Sequence, residues 1–89
     1  MEDRSGLLTT LGRELSEAIE EIVPDATSQD CYDALTEYLN ENFKLSDLAT
    51  LTEEDYKSIT RQFCRYFEVD GITAEQIKLG IERTVNNWS

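Results

Sequence analysis

The 89-residue sequence contains no histidine, one proline, two cysteines and no long apolar run. Without histidine, a Ser-His-Asp or Cys-His catalytic group cannot form, and neither can a histidine-ligated zinc site. A membrane-spanning helix needs about 20 predominantly apolar residues, which this sequence does not offer. At the N-terminus only Leu7 and Leu8 stand where a signal peptide carries an apolar block, so we expect no signal peptide and a cytoplasmic protein.

The two cysteines, Cys31 and Cys64, both fall on predicted apolar helix faces. A buried free cysteine behaves as a small hydrophobic residue, and disulfides belong mainly to oxidising compartments. We therefore expect two reduced thiols rather than a disulfide.

A chain of this length is expected to form one domain, spanning residues 1–89. Its apolar residues recur at steps of three and four, which is the pattern of amphipathic helices, and no segment alternates like a strand. Thr27, Thr52 and Thr73 are suited to cap helix starts, and a short helix is expected after Ser46. These features predict an all-α fold, a compact four- to five-helix bundle.

Helix ends are predicted from residues that interrupt the pattern. Pro24 should stop the first helix, residues 40–42 the second, and the Asp70–Gly71 pair the helix that begins after Thr52. The same Asp70–Gly71 turn resembles part of a calcium loop. Alignment on its glycine, however, puts Ile77 where such a loop needs a glutamate.

No pattern of residues predicts chemistry. The glycines fit no phosphate-binding loop, and the many carboxylates fall on predicted solvent faces, where they stay ionised. We therefore expect a non-enzymatic protein with no metal and no cofactor.

Charge is distributed unevenly along the chain. Residues 1–56 hold 15 acidic and 3 basic residues, a balance of −12, while residues 57–89 hold 4 acidic and 5 basic residues, a balance of +1. The net charge of −11 therefore comes from the first part of the sequence. Direct binding to nucleic acid is not expected, because phosphate contacts need clustered lysine and arginine.

Two predicted helices carry rows of carboxylates. On the second helix, Asp30, Asp33, Glu37 and Glu41 step by 3, 4 and 4 residues, which places them in a narrow arc beside the apolar face. The first helix adds four glutamates opposite its own apolar face: Glu14, Glu17, Glu20 and Glu21. Such rows weaken a helix, because like charges three or four residues apart repel. These eight residues are the candidate partner-binding surface.

Two interpretations of this acidic surface stay open. Acidic faces keep a protein in solution, and that alone would explain the carboxylates. In the functional interpretation they bind a protein partner with a basic surface, steer association and occupy sites that otherwise hold phosphates. Such a protein would inhibit or regulate a nucleic-acid-binding protein by mimicking nucleic acid, and the composition suits a small phage or bacterial inhibitor.

A candidate second interface follows later in the sequence. Lys57, Arg61 and Arg65 step by four along one predicted helix, opposite the aromatic residues of its core face. They form either a solvated stripe that pairs locally with acids or a docking face for the acidic surface of another copy. Opposite faces of this kind would join copies head-to-tail into rings or filaments. Trp88 either packs on the bundle or serves as a partly exposed anchor.

Residues 43–59 resemble the middle of a SAM domain, in which a leucine-rich turn precedes a Thr-Glu-Glu-Asp helix start. Here Leu45, Leu48 and Leu51 precede Thr52 and the three acids that follow it. The similarity covers about a fifth of the chain. The tryptophan motif near the N-terminus of SAM domains is absent, and Trp88 lies near the C-terminal end of this sequence instead. The chain is not assigned to the family, but the resemblance implies a protein-interaction module and adds to the self-association alternative.

Overall fold

The structure, a computed structural model, describes the backbone of residues 4–39 and 45–88 and the side chains of residues 6–39 and 45–87. Five helices follow one another in these ranges: α1 (Arg4–Ala18), α2 (Ser28–Leu35), α3 (Leu45–Ala49), α4 (Glu53–Phe67) and α5 (Ala74–Trp88). The described residues include no strand, which confirms the predicted all-α fold. Within the same ranges, no helix is long and apolar enough to cross a membrane.

Three threonines cap helix starts, as the sequence predicts. The hydroxyl of each accepts from the amide three residues on, and the side chain of that later residue accepts from the threonine amide. The pairs are Thr27 with Asp30, Thr52 with Asp55, and Thr73 with Gln76. Such capping boxes satisfy amides that the first turn of a helix leaves without partners.

Helix α1 ends earlier than the proline predicts. It ends at Ala18, and residues 19–22 continue as hydrogen-bonded turns in which the Ile22 amide donates to the Ile19 carbonyl at 2.9 Å. No basic residue lies in its last turn, and the glutamates around its end bring negative charge to a terminus where the helix dipole disfavours it. The Ile19 side chain is fully buried and anchors this turn to the core.

Helix α2 also ends sooner than expected, at Leu35 instead of residues 40–42. The Thr36 hydroxyl donates to the Asp33 carbonyl at 2.7 Å and so competes with helical hydrogen bonds. The last turn again has no basic residue to offset the helix dipole. Glu37 therefore lies in the turn beyond α2 and not on the helical row predicted for it.

Helix α4 ends before the Asp70–Gly71 pair that was predicted to stop it. Glu68 adopts a left-handed conformation, with φ at 56°, in a place where glycine is usual. In this conformation the Val69 amide reaches back to the Cys64 carbonyl at 3.0 Å, so a carbonyl at the helix end gains a donor.

Four helices close a ring around the core. Helix α1 packs against α2 and α5, α4 packs against the same two helices, and α3 packs against α5. Burial of their shared apolar faces is the main favourable contribution to folding. The buried hydrophobic residues are Leu7, Leu11, Leu15, Ile19, Cys31, Ala34, Leu35, Leu48, Tyr56, Ile59, Phe63, Ile72, Ile77 and Ile81.

Two glycines allow the closest helix crossings. A Cβ on Gly12 would overlap the Ser28 carbonyl oxygen, so α1 and the start of α2 touch backbone to backbone. A Cβ on Gly80 would lie 2.8 Å from Leu15 Cδ2 and 3.1 Å from Leu15 Cα, so α5 also lies close to α1, although less close than α2 does. These crossings hold α1 firmly and with it the turn that follows its end.

Candidate protein-interaction surface

Four carboxylates stand at the end of α1 and in the turns that follow it. Glu17, Glu20, Glu21 and Asp25 are all exposed, and we name them the acidic end. The buried side chain of Ile19 fixes the backbone between them. None of the ion pairs between described residues involves the acidic end. No lysine or arginine among the described residues therefore neutralises it at close range.

Glu14 does not belong to this surface, although it was predicted on the same solvent face. Only 11% of its side chain is exposed, and its carboxylate lies 3.9 Å from the Arg83 guanidinium on α5. The Arg13 guanidinium lies 3.8 Å from the same carboxylate. Helix α1 packs against both α2 and α5, so the face it buries is wide enough to include position 14. Glu14 joins α1 to α5, and we remove it from the candidate surface.

Asp30, Asp33 and Glu37, here named the acidic row, remain at the surface but do not lie on one helix. Asp30 is half-exposed and caps α2, while the exposed Asp33 accepts from Gln29 Nε2 at 2.9 Å. Glu37 is exposed in the turn beyond α2. Glu41, the fourth residue predicted for this row, lies outside the described residues.

Lys57, Arg61 and Arg65, here named the basic row, are exposed along α4. Two of them border a groove of about 290 Å³ whose other wall is the turn after α2. The lining residues are Glu37, Tyr38, Ser58, Arg61, Gln62 and Arg65. Across the described ranges, no ion pair involves the basic row, so local pairing with acids does not neutralise it there.

The acidic row and the basic row lie side by side where α2 packs against α4. At one end Glu37 and Arg61 line the same groove. At the other end, desolvation and then the carboxylates of Asp30 and Asp33 raise the pKa of the Tyr66 phenol on α4. The two rows therefore border each other along the contact between α2 and α4 and share one face of the molecule. They do not occupy the opposite faces that the head-to-tail hypothesis requires.

A second groove, of about 300 Å³, lies between α3, α4 and α5 and has Tyr56, Glu82 and Asn86 among its lining residues. Burial, and then the carboxylates of Glu82, Glu53 and Asp55, raise the pKa of the Tyr56 phenol, which keeps it protonated at neutral pH. These groups offer hydrogen bonds, whereas covalent catalysis needs a nucleophile beside a base. Among the described residues, no group of three or more potential metal ligands converges.

Both cysteines are free thiols, with Cys31 fully buried in α2 and Cys64 partly buried in α4. Burial, and then the charge of Asp30, raise the pKa of the Cys31 thiol to about 12, so it stays protonated and unreactive at neutral pH. The Cys64 thiol donates to the Ile72 carbonyl over 3.6 Å. The two thiols therefore serve packing.

Three surface residues that the sequence pattern does not single out belong to these surfaces. Asp25 completes the acidic end, and Tyr38 and Tyr66 stand beside the two rows with 39% and 43% of their surface exposed. Helical spacing assigns both tyrosines to apolar faces, so periodicity gives no sign of their exposure. Trp88 ends α5, and its side chain lies outside the described residues.

Comparison of the chain with protein-family models, curated proteins and solved structures gave no match. The similarity of residues 43–59 to a SAM domain stays local, and a function has to be inferred from the surface of this chain. Two features distinguish that surface from an evenly charged helical bundle: the acidic end, and the two rows of opposite charge.

Proposed function

We propose that this protein is a non-catalytic binding domain whose acidic end docks on a basic surface of a protein partner. The observation that carries the proposal is four exposed carboxylates on consecutive turns, with no described cation in ion-pair contact. Uncompensated surface charge creates a potential that steers a basic partner and favours one orientation of approach.

The position of the acidic end favours a role in binding over a role in stability. Its glutamates stand where the α1 dipole disfavours negative charge, and neighbours three or four residues apart repel by about 0.2–0.5 kcal/mol per pair. A helix optimised for stability would carry lysine or arginine in its last turn. Local rules of stability are commonly broken where a surface serves function.

We further propose that the partner is a nucleic-acid-binding protein, which the acidic end inhibits or regulates by occupying its phosphate-binding surface. Carboxylates and phosphates are both oxyanions that accept charge-assisted hydrogen bonds from lysine and arginine. A surface that binds nucleic acid through such cations therefore also attracts a rigid cluster of carboxylates.

The experiment is capture from cell extract with the tagged protein at low salt. Elution is then carried out with rising salt and, in parallel, with DNA or RNA. We expect a nucleic-acid-binding protein to be retained and to be released by both treatments, because salt screens its contacts and phosphates replace them. The variant Glu20→Lys/Glu21→Lys should retain about tenfold less of that partner.

The matched control is Glu75→Lys/Glu82→Lys, which makes the same change in net charge at exposed positions of α5. It should capture the partner as the wild type does, and circular dichroism should give both variants the helical signal of the wild type. Unchanged capture by Glu20→Lys/Glu21→Lys would contradict the proposed site. Equal loss in both variants would leave the acidic end with a solubilising role only.

A further inference from the structure

The face shared by the acidic row and the basic row is a second candidate surface, separate in sequence from the acidic end. Each row holds three residues of one sign, so this face is close to neutral on a protein of net charge −11. Its charges are nevertheless segregated, with negative charge along α2 and the turn beyond it, and positive charge along α4. Such a face fits a partner in which the two signs are arranged the opposite way round.

A second copy of this chain meets that requirement. A twofold axis can lie in the interface, parallel to the two rows and midway between them. A half-turn about this axis brings the acidic row of each copy opposite the basic row of the other. An axis across the rows would instead oppose like charges. The charge pattern therefore favours one closed arrangement over the other.

We propose that the protein forms a twofold-symmetric dimer through this face, with the acidic row of each copy on the basic row of its partner. Glu37 and Arg61, which line one groove within a single copy, then also pair between copies. A face that complements itself about a twofold axis leaves no free end, so assembly stops at two copies. The dimer takes the place of the rings or filaments expected from opposite faces.

Two tyrosines supply apolar contact area for this interface. Tyr38 is 39% exposed and lines the groove beside the basic row. Tyr66 is 43% exposed and stands close enough to Asp30 and Asp33 to feel their charge. Tyrosine is enriched among the residues that dominate binding energy at protein interfaces, whereas exposed ion pairs contribute little. The tyrosines therefore supply affinity, and the rows fix orientation.

The net charge of each copy opposes the dimer at long range. At physiological ionic strength, charges more than about 8 Å apart are largely screened, while close pairs in a partly desolvated face are screened much less. We therefore expect tighter association at physiological salt than at very low salt, the reverse of a complex held by long-range attraction.

Sedimentation equilibrium of the full chain over a range of concentrations tests the proposal. At physiological salt the wild type should pass from monomer to dimer with no larger species. Two variants remove the charge complementarity between copies. In Arg61→Glu/Arg65→Glu most residues of both rows are negative, and in Asp33→Arg/Glu37→Arg most residues of both rows are positive. Each should raise the Kd of self-association about tenfold or more. The control Glu20→Arg/Glu21→Arg makes the same charge change as the second variant outside this face, and it should still dimerise.

A mixture of the two row variants is the most specific measurement. One has mainly negative rows and the other mainly positive rows, so each complements the other but not itself. We expect a heterodimer from the mixture. We also expect a homodimer from the variant that combines all four substitutions. In this variant the acidic row becomes mainly positive and the basic row mainly negative, while the net charge stays that of the wild type. Circular dichroism checks that every variant is folded.

Several outcomes would overturn the dimer: a wild type that stays monomeric, open assemblies larger than a dimer, or a dimer that survives both row variants. Failure of the mixed variants to associate would overturn the twofold arrangement. None of these results bears on the proposed function, because the capture experiment uses variants of the acidic end and of α5 and changes no residue of the acidic row or the basic row.

Discussion

The part of the molecule formed by α1, its following turns and α2 differs from the part formed by α4 and α5 in the placement of charge. The helices themselves do not separate the two parts by length, since α1, α4 and α5 have 15 residues each and only α2, with 8, is short. None of α1, α2 and α5 has a basic residue in its last turn, but α1 and α2 also have exposed acids just beyond their ends. Helix α4 carries three acids in its first turn and Arg65 in its last turn, and both features suit the helix dipole.

Because the two parts share one core, the difference between them lies at the surface. On α4, charge is placed where it stabilises the helix. Around the acidic end it is placed where the dipole of α1 disfavours it, and the carboxylates there are exposed. Surface charge in this protein therefore has two uses. On α4 it stabilises the helix, and at the acidic end, under our proposal, it binds a partner.

The largest expected effect on stability is that of alkaline pH, and it acts through a residue of α2. Burial raises the pKa of the Cys31 thiol in α2 from 9.0 to about 12, so the unfolded chain loses this proton first as the pH rises. Across that window the folded state binds more protons. The free energy of unfolding should therefore fall by about 1.4 kcal/mol per pH unit. Urea denaturation at a series of alkaline pH values measures this slope.

Cys31→Ala should remove most of that slope. The pKa values of the Tyr56 and Tyr66 phenols are also raised above 10.0, which gives slopes of the same sign at higher pH, so part of the slope should persist in Cys31→Ala. Identical slopes in the wild type and Cys31→Ala would mean that the thiol does not change its environment on folding.

A methyl group at Gly12 should have the next largest effect, because it forces α1 away from α2. The added Cβ overlaps the Ser28 carbonyl oxygen, a backbone atom that cannot rotate aside. We expect Gly12→Ala to lower the free energy of unfolding by about 1–3 kcal/mol, measured by urea denaturation.

Gly71→Ala is the comparison for this effect, since its Cβ would meet only the Ile22 side chain, at 3.3 Å. Its effect should stay below about 1 kcal/mol. A Gly12→Ala protein as stable as the wild type would show that the α1–α2 crossing is looser than the backbone contact indicates.

Reversal of charge at the acidic end should have the smallest effect, and the opposite sign. Glu20→Lys/Glu21→Lys removes repulsion and brings positive charge to the end of α1, so stability should rise by about 0.5–1 kcal/mol. Glu75→Lys/Glu82→Lys should instead be slightly destabilising, because Glu75 lies in the first turn of α5. Thermal melting of both variants measures the difference, and shifts of equal sign and size would remove the distinction between the two parts.

The starts of α2, α4 and α5 were predictable from sequence, whereas the ends of α1, α2 and α4 were not. The prediction for α3 was wrong in detail, because this helix begins at Leu45 and includes the Ser46 that was expected to precede it. A capping box involves residues only three apart in sequence, so Thr52 and Asp55 are enough to predict the start of α4. The end of α4 depends on Glu68 adopting a left-handed conformation, which is not predicted for a glutamate. The ends of α1 and α2 reflect a balance of dipole, repulsion and core packing that periodicity does not capture.

For the candidate surface, the sequence predicts which residues are charged but not how the rows are arranged. Glu14 follows the spacing of an exposed residue and is buried because α5 packs over it. The groove that Glu37 shares with Arg61 depends on α2 packing against α4, a contact between helices well separated along the chain. Spacing along a single helix cannot reveal such contacts.

The central claim is that the acidic end occupies a surface that otherwise binds nucleic acid. Its most direct test is a competition titration, in which labelled DNA or RNA is bound to the captured partner and this protein is added at rising concentration. We predict that the wild type displaces the nucleic acid and that Glu20→Lys/Glu21→Lys does so about tenfold less effectively. A ternary complex, in which the partner holds the nucleic acid and this protein together, would contradict the claim.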